Sequence, residues 1–111
     1  MKTLATYEVI DMLSGLAQES RLKIFRELVK NHSSDPEEGG LPAGQLAEIL
    51  DIPSPTLSFH LKEMFRAGLV SSRKIGRSVV YKADLSAMNA LLNHLIEDCC
   101  GGTCELSLSS K

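Results

Sequence analysis

With 111 residues the chain is long enough for one domain and too short for two. Its 43% hydrophobic and 23% charged residues are those of an ordinary soluble globular protein, and no apolar run approaches the roughly 20 residues that cross a membrane. The opening Met1-Lys2-Thr3-Leu4 lacks the apolar core of a signal peptide, which predicts a cytoplasmic location, and a net charge of −2 taken alone disfavours a nucleic-acid binder.

Val9, Ile10, Leu13 and Leu16 have helical spacing and predict a first helix from about Tyr7 to Leu16, with Gly15 blurring its end. A second helix is expected from about Ser20 to Asn31, with Leu22, Phe25, Leu28 and Val29 on its inner face and Arg21, Lys23, Arg26, Glu27 and Lys30 mostly solvated. Asn31 to Gly40 contains no apolar residue and is rich in turn formers, so it reads as a surface loop. A third helix follows from about Ala43 to Leu50, with Leu46, Ala47 and Leu50 inward, and Asp51-Ile52-Pro53 breaks it.

Ser54 has the chemistry of an N-cap and Pro55 that of a first helical residue, so a fourth helix is expected up to about Ala67. Leu57, Leu61, Met64 and Phe65 form its expected buried face, and Gly68 ends it. Leu69 to Ile75 and Ser78 to Ala83 alternate like strands around Gly76-Arg77, which predicts a β-hairpin. The last helix, Asp84 to Asp98, carries a broad apolar stripe of Leu85, Met88, Leu91, Leu92, Leu95 and Ile96 before Gly101-Gly102 stops it. No repeat and no linker interrupts the chain. The expected architecture is a single domain over residues 1–111, mainly α with a β-hairpin wing, in which 99–111 hold a cysteine cluster and a tail.

Two short helices joined by three residues, the second opening on small polar side chains, make a helix-turn-helix, whose second helix can enter the major groove of DNA. Ser54, Thr56, Ser58, Phe59 and Lys62 are the outward residues of its first turns. Serine and threonine can donate to bases or phosphates, and Phe59 can touch a thymine methyl. His60 lies at the edge of the apolar face, where a packed histidine and a DNA contact are both open. Arg73, Lys74 and Arg77 near the hairpin tip suit phosphate or minor-groove contact. Residues 54–83 hold six positive charges and one negative, a net of +5, which leaves −7 on the rest of the chain. A basic segment in an acidic chain is the footprint of a local phosphate-facing surface.

The stretch SPTLSFHLKEMFRAGLVSSRKIGRSVVYK, Ser54 to Lys82, resembles the recognition helix and wing of the ArsR/SmtB family. The family core T-x-S-x-H-L-x-x-L-x-x-A-G-L-V falls on Thr56, Ser58, His60, Leu61, Met64 and Ala67 to Val70, followed by a basic wing with Gly76-Arg77 and Tyr81. Leu16 to Ile24 is similar to the opening of the family's second helix, and the likeness spans about residues 10–98. It implies a winged helix-turn-helix repressor, homodimeric through its first and last helices. Such a repressor binds an inverted repeat in double-stranded operator DNA and leaves it on meeting a metal, metalloid or other thiol-reactive signal.

All three cysteines, Cys99, Cys100 and Cys104, fall within six residues, and nothing apolar around them marks them as core. An odd number cannot pair fully within one chain, and in a reducing compartment the default is thiol or metal thiolate. Thiolates select soft ions such as Cu(I), Zn(II) and, by the same argument, As(III) and Sb(III). Three thiolates suit pyramidal As(III), whereas a closed Zn(II) site wants four ligands. Gly101 and Gly102 can bend Cys104 back onto the adjacent pair. The family's cysteine pattern on the third helix is absent here. Its zinc pattern on the last helix is matched at Asp84 but broken at Ser86, Glu97 and Cys100. A cysteine pair plus a third cysteine after the last helix resembles a subset of arsenite-responsive members. The expectation is therefore an As(III) or Sb(III) inducer held by Cys99, Cys100 and Cys104, with no organic cofactor. Another soft metal or a thiol-redox or sulfur signal is the alternative. No nucleotide loop or catalytic triad pattern is present, and Glu97 and Asp98 would raise rather than lower a thiol pKa, so no enzymatic activity is expected.

Overall fold

The computed structural model describes residues 4–35 and 37–97; Pro36, Asp98, the three cysteines, Gly101-Gly102 and the tail lie outside them. The chain runs α1 (Thr6–Leu16), α2 (Glu19–Lys30), β1 (Leu41–Pro42), α3 (Ala43–Leu50), α4 (Ser54–Arg66), β2 (Val70–Ile75), β3 (Ser78–Ala83) and α5 (Leu85–Ile96). This is the expected helix order with a wing. Gly15 does not end α1: the helix passes through it, and Gly15 is buried because the Leu69 side chain packs where a Cβ would stand.

Helix ends follow local chemistry. The Glu8 carboxylate accepts from the Ala5 N–H at 2.9 Å, and the Gln18 side chain caps α2 by accepting from the Arg21 N–H at 3.1 Å. The Asp84 carboxylate does the same for α5, accepting from the Ala87 N–H at 2.9 Å. Asp51 ends α3 in the left-handed region, φ 56°, one of the few non-glycine residue types that tolerate it.

The core centres on Ile24 and Leu28 of α2, Leu46 of α3, Leu57, Leu61 and Met64 of α4, and Leu69 and Leu91, all essentially without exposure. The inner face of α2 differs from the expected one. It is Ile24, Phe25 and Leu28, whereas Leu22 and Val29 are exposed. Phe65, expected inside, is also exposed. At about 100° per residue it lies at the margin of the stripe defined by 57, 61 and 64, about 40° beyond Leu61.

The wing is one strand wider than the hairpin read from the sequence. β1 pairs antiparallel with β3 (Leu41 opposite Tyr81), giving the order β1-β3-β2. The hairpin itself closes with Ile75 opposite Ser78. Its two-residue turn has positive φ at Gly76 alone, the signature of a type II′ turn. The loop before β1 is tied down from the sheet, where the Lys82 ammonium donates to the carbonyls of Ser33 and Asp35, both at 3.0 Å.

Gly40 is where this loop meets the wing. Its φ is +86°, and a Cβ would stand 2.5 Å from the Tyr81 carbonyl oxygen. Gly40→Ala is expected to lower stability by about 1–3 kcal/mol in thermal melts. Gly44→Ala, in α3 with nothing within 4 Å of an added Cβ, is expected to be neutral or to stabilise by about 0.4–1 kcal/mol.

Candidate nucleic-acid interface

α4 begins one residue earlier than its sequence suggests. Pro53 is the N-cap, and its carbonyl accepts from the Leu57 N–H at 2.9 Å. Ser54 is therefore the first helical residue and not a cap, so its hydroxyl is not engaged in closing the helix. Pro55 still falls in the first turn, where a missing N–H costs nothing. The remaining N–H groups of that turn carry the positive end of the helix dipole, which favours an anion such as phosphate.

Ser54, Thr56, Ser58, Phe59 and Lys62 are all exposed on this helix. Phe59, an apolar ring 57% exposed, is costly to leave in water unless something covers it. His60 is the exception among the expected DNA-facing residues. It is 6% exposed and belongs to the inner stripe Leu57-His60-Leu61-Met64. Its Nδ1 accepts from Arg21 Nε of α2 at 3.0 Å, so it is a packed histidine and is removed from the exposed face. The spacing of 57, 60, 61 and 64 was the signal that could have placed it. Arg21, assigned to solvent from the sequence, is half-buried, with its guanidinium 5.9 Å from the centre of the Phe59 ring.

The basic residues of 54–83 divide into free and engaged. Lys62, Lys74 and Arg77 are exposed and form no ion pair among the described residues. Arg66 pairs with Glu63 at 3.2 Å and approaches Asp11 at 3.9 Å, and Lys82 holds the loop. Arg73 does not project freely as expected. It is half-buried, and its Nη1 is buried without a hydrogen-bond partner, beside a small cavity shared with Ser71, Ser72, Val80 and Lys82.

Away from the helix-turn-helix, α1 exposes Tyr7, Ile10 and Leu13, and α5 exposes Leu95. The inner face of α5 is Ala87, Ala90 and Leu91, so of the expected stripe only Leu91 is buried; Leu85 and Met88 are partly buried against the core. Asp84, the one match to the zinc pattern, is occupied as a cap, and His94 stands 3.7 Å from Glu97 on the helix surface. Among the described residues no group of three His, Cys, Asp or Glu side chains could hold a metal ion, and none of the helices is long and apolar enough to cross a membrane. The cysteines expected to bind the inducer lie outside the described residues.

Residues 16–73, just over half of the chain, match the family model described as a helix-turn-helix domain. The fold superposes on an ArsR-like transcriptional regulator from Rhodococcus with a TM-score of 0.69 at 28% identity, covering 83% of this chain and 80% of that one. The chain belongs to the ArsR/SmtB-type winged helix-turn-helix transcriptional regulators. This regulator is 32% identical over 95 residues to the uncharacterised transcriptional regulator YbzH of Bacillus subtilis, covering 79% of this chain and 95% of the relative. It is also similar to HlyU of Vibrio cholerae, with a TM-score of 0.62 at 31% identity over 81% of this chain and 92% of that structure. It is thus a DNA-binding transcriptional regulator, and α3-turn-α4 with the β2–β3 wing is its helix-turn-helix unit.

Burial, and secondarily the Arg21 guanidinium, hold the His60 imidazole below its usual value of 6.5. The unfolded chain therefore binds a proton at His60 at a pH where the folded chain does not. This part of the stability is complete above 6.5 and declines as pH falls below it. Denaturant titrations of wild type and His60→Gln on either side of that pH are expected to show the wild type losing stability relative to the variant on acidification.

Proposed function

We propose that this regulator is a homodimeric repressor that leaves an inverted-repeat operator when As(III) or Sb(III) binds Cys99, Cys100 and Cys104 as thiolates of one chain. The observation that carries the reading is the donor set itself: three soft ligands within six residues, just beyond the end of α5. Three thiolates match the three-coordinate preference of the trivalent metalloids, and the two intervening glycines permit the chain to fold back. The exposed apolar residues of α1 and α5 support a dimer built from these helices. Ligation beside such an interface would shift one protomer against the other and carry the two α4 helices out of register with successive major grooves, roughly 34–36 Å apart. By linkage, operator DNA must weaken metalloid binding by the same factor.

In the same reading Ser54, Thr56, Ser58, Phe59 and Lys62 face the major groove. Lys74, Arg77 and, less freely, Arg73 meet the backbone. Arg77→Ala is expected to weaken binding to all duplexes alike and to flatten the salt dependence, by about 0.9 in the log–log slope for one phosphate. Ser58→Ala is expected to cost operator binding about 1–3 kcal/mol beyond its effect on non-specific DNA. Unchanged affinity of Arg77→Ala at low and high salt rejects the wing assignment.

Any single Cys→Ser substitution is expected to leave operator binding intact and to blunt release by arsenite. X-ray absorption at the arsenic edge is expected to show three sulfur neighbours. Release of a triple Cys→Ser protein by arsenite overturns the sensor assignment. Release of the wild type by peroxide or persulfide but not by arsenite or antimonite assigns the cluster to thiol redox chemistry instead.

A further inference from the structure

Arg21 lies in α2, outside the helix-turn-helix and outside the basic segment 54–83. Its backbone is fixed by the Gln18 cap, and its side chain reaches α4 from the side. Nε donates to the buried His60 Nδ1 at 3.0 Å, and the same guanidinium lies 5.9 Å from the centre of the exposed Phe59 ring. One planar cation thus touches both the inner and the outer face of α4.

Only one of its five N–H donors is used in this way. The two terminal nitrogens have no acceptor among the described residues and are not buried. Among the described residues no carboxylate forms an ion pair with it either. Glu19, two residues away, pairs with Lys23 at 3.1 Å. An arginine whose plane is held by a neutral acceptor and whose fork is left open is pre-organised for a bidentate oxyanion. A DNA-binding protein that places such a fork beside the exposed face of its second motif helix offers it to the polymer's own oxyanions.

We propose that Arg21 is a clamp on the DNA backbone: its terminal nitrogens hold a phosphate of the strand flanking the groove that α4 enters, with His60 as the positioning residue that fixes the guanidinium plane. This rests on the reading of α4 as the groove-facing helix. The contact carries no sequence information; it sets the depth and tilt of α4 against the duplex.

The test is binding of the full chain to a mixed-sequence duplex, followed by fluorescence anisotropy over a range of salt concentrations. Arg21→Gln is expected to make the log–log salt slope shallower by about 0.9, the signature of one lost phosphate contact, and Arg21→Lys to keep the wild-type slope. An unchanged slope in Arg21→Gln overturns the proposal. So does an equal loss of slope in Arg21→Lys, which would make Arg21 a purely structural partner of His60. Should Arg21→Gln fail to fold, phenylglyoxal labelling of the wild type decides. Duplex DNA is expected to protect Arg21 while Arg66, paired with Glu63, labels alike with and without DNA. Equal labelling of Arg21 in both conditions rejects the clamp. Lys62→Gln separates the two levels. A shallower slope there with none in Arg21→Gln rejects the clamp alone; no change in Lys62→Gln, Arg77→Ala or Arg21→Gln rejects the groove assignment of α4.

Discussion

Leu57, Leu61 and Met64 dock α4 onto the rest of the chain, and the shape of the exposed surface follows from that docking. A helix fixed along one stripe has its opposite stripe fixed as well. α2 and α3 supply the walls, through Ile24, Leu28 and Leu46, and interiors packed to this density resist rotation of the helix about its axis. His60 sits within the docking stripe rather than outside it, and its imidazole connects the stripe to Arg21. The polar side chains of α4 can therefore be presented in one orientation, which a protein that reads DNA requires.

Charge is distributed by the same logic. The chain is acidic overall, yet Lys62, Lys74 and Arg77 are exposed on α4 and the wing with no acidic partner among the described residues, and Arg21 lies against α4. Other cations of the same stretch serve the fold. Arg66 bridges α4 to α1 through Asp11 as well as pairing with Glu63, and Lys82 anchors the loop that precedes β1. The exposed ion pairs of Arg66 contribute little to stability, about 0–1 kcal/mol. Two side chains of the basic stretch are thus committed elsewhere, Arg66 to carboxylates and Lys82 to backbone carbonyls.

α1 and α5 carry exposed apolar side chains as well as buried ones. α1 is amphipathic in two directions: Val9 and Met12 face the core, and Tyr7, Ile10 and Leu13 face out. α5 reaches the core through Leu91 and two small residues, Ala87 and Ala90, while Leu95 remains exposed. A chain of this size buries a limited core by itself, and a second apolar face gives it a route to further burial.

The sequence by itself determined whatever is decided within a turn or two of chain. The break at Asp51 to Pro53, the proline in the first turn of α4, the two-residue turn at Gly76-Arg77 and the order of elements are local chemistry, and local chemistry is written in adjacent residues. The exposed set Ser54, Thr56, Ser58, Phe59 and Lys62 follows from helical spacing alone. Tertiary structure decided what depends on partners far along the chain. β1 is two residues long and has no periodicity to read; it exists because Tyr81 and Val80 stand opposite. α2 carries apolar residues on more than one stripe, and only its neighbours select Ile24 over Leu22. Lys82 and Arg73 look like further wing cations until a loop some fifty residues upstream and the sheet itself occupy them. Arg21 and His60 are 39 positions apart, and their bond appears only when α2 and α4 cross. A side chain's type is a property of the sequence, but whether it is free to meet DNA depends on what packs beside it.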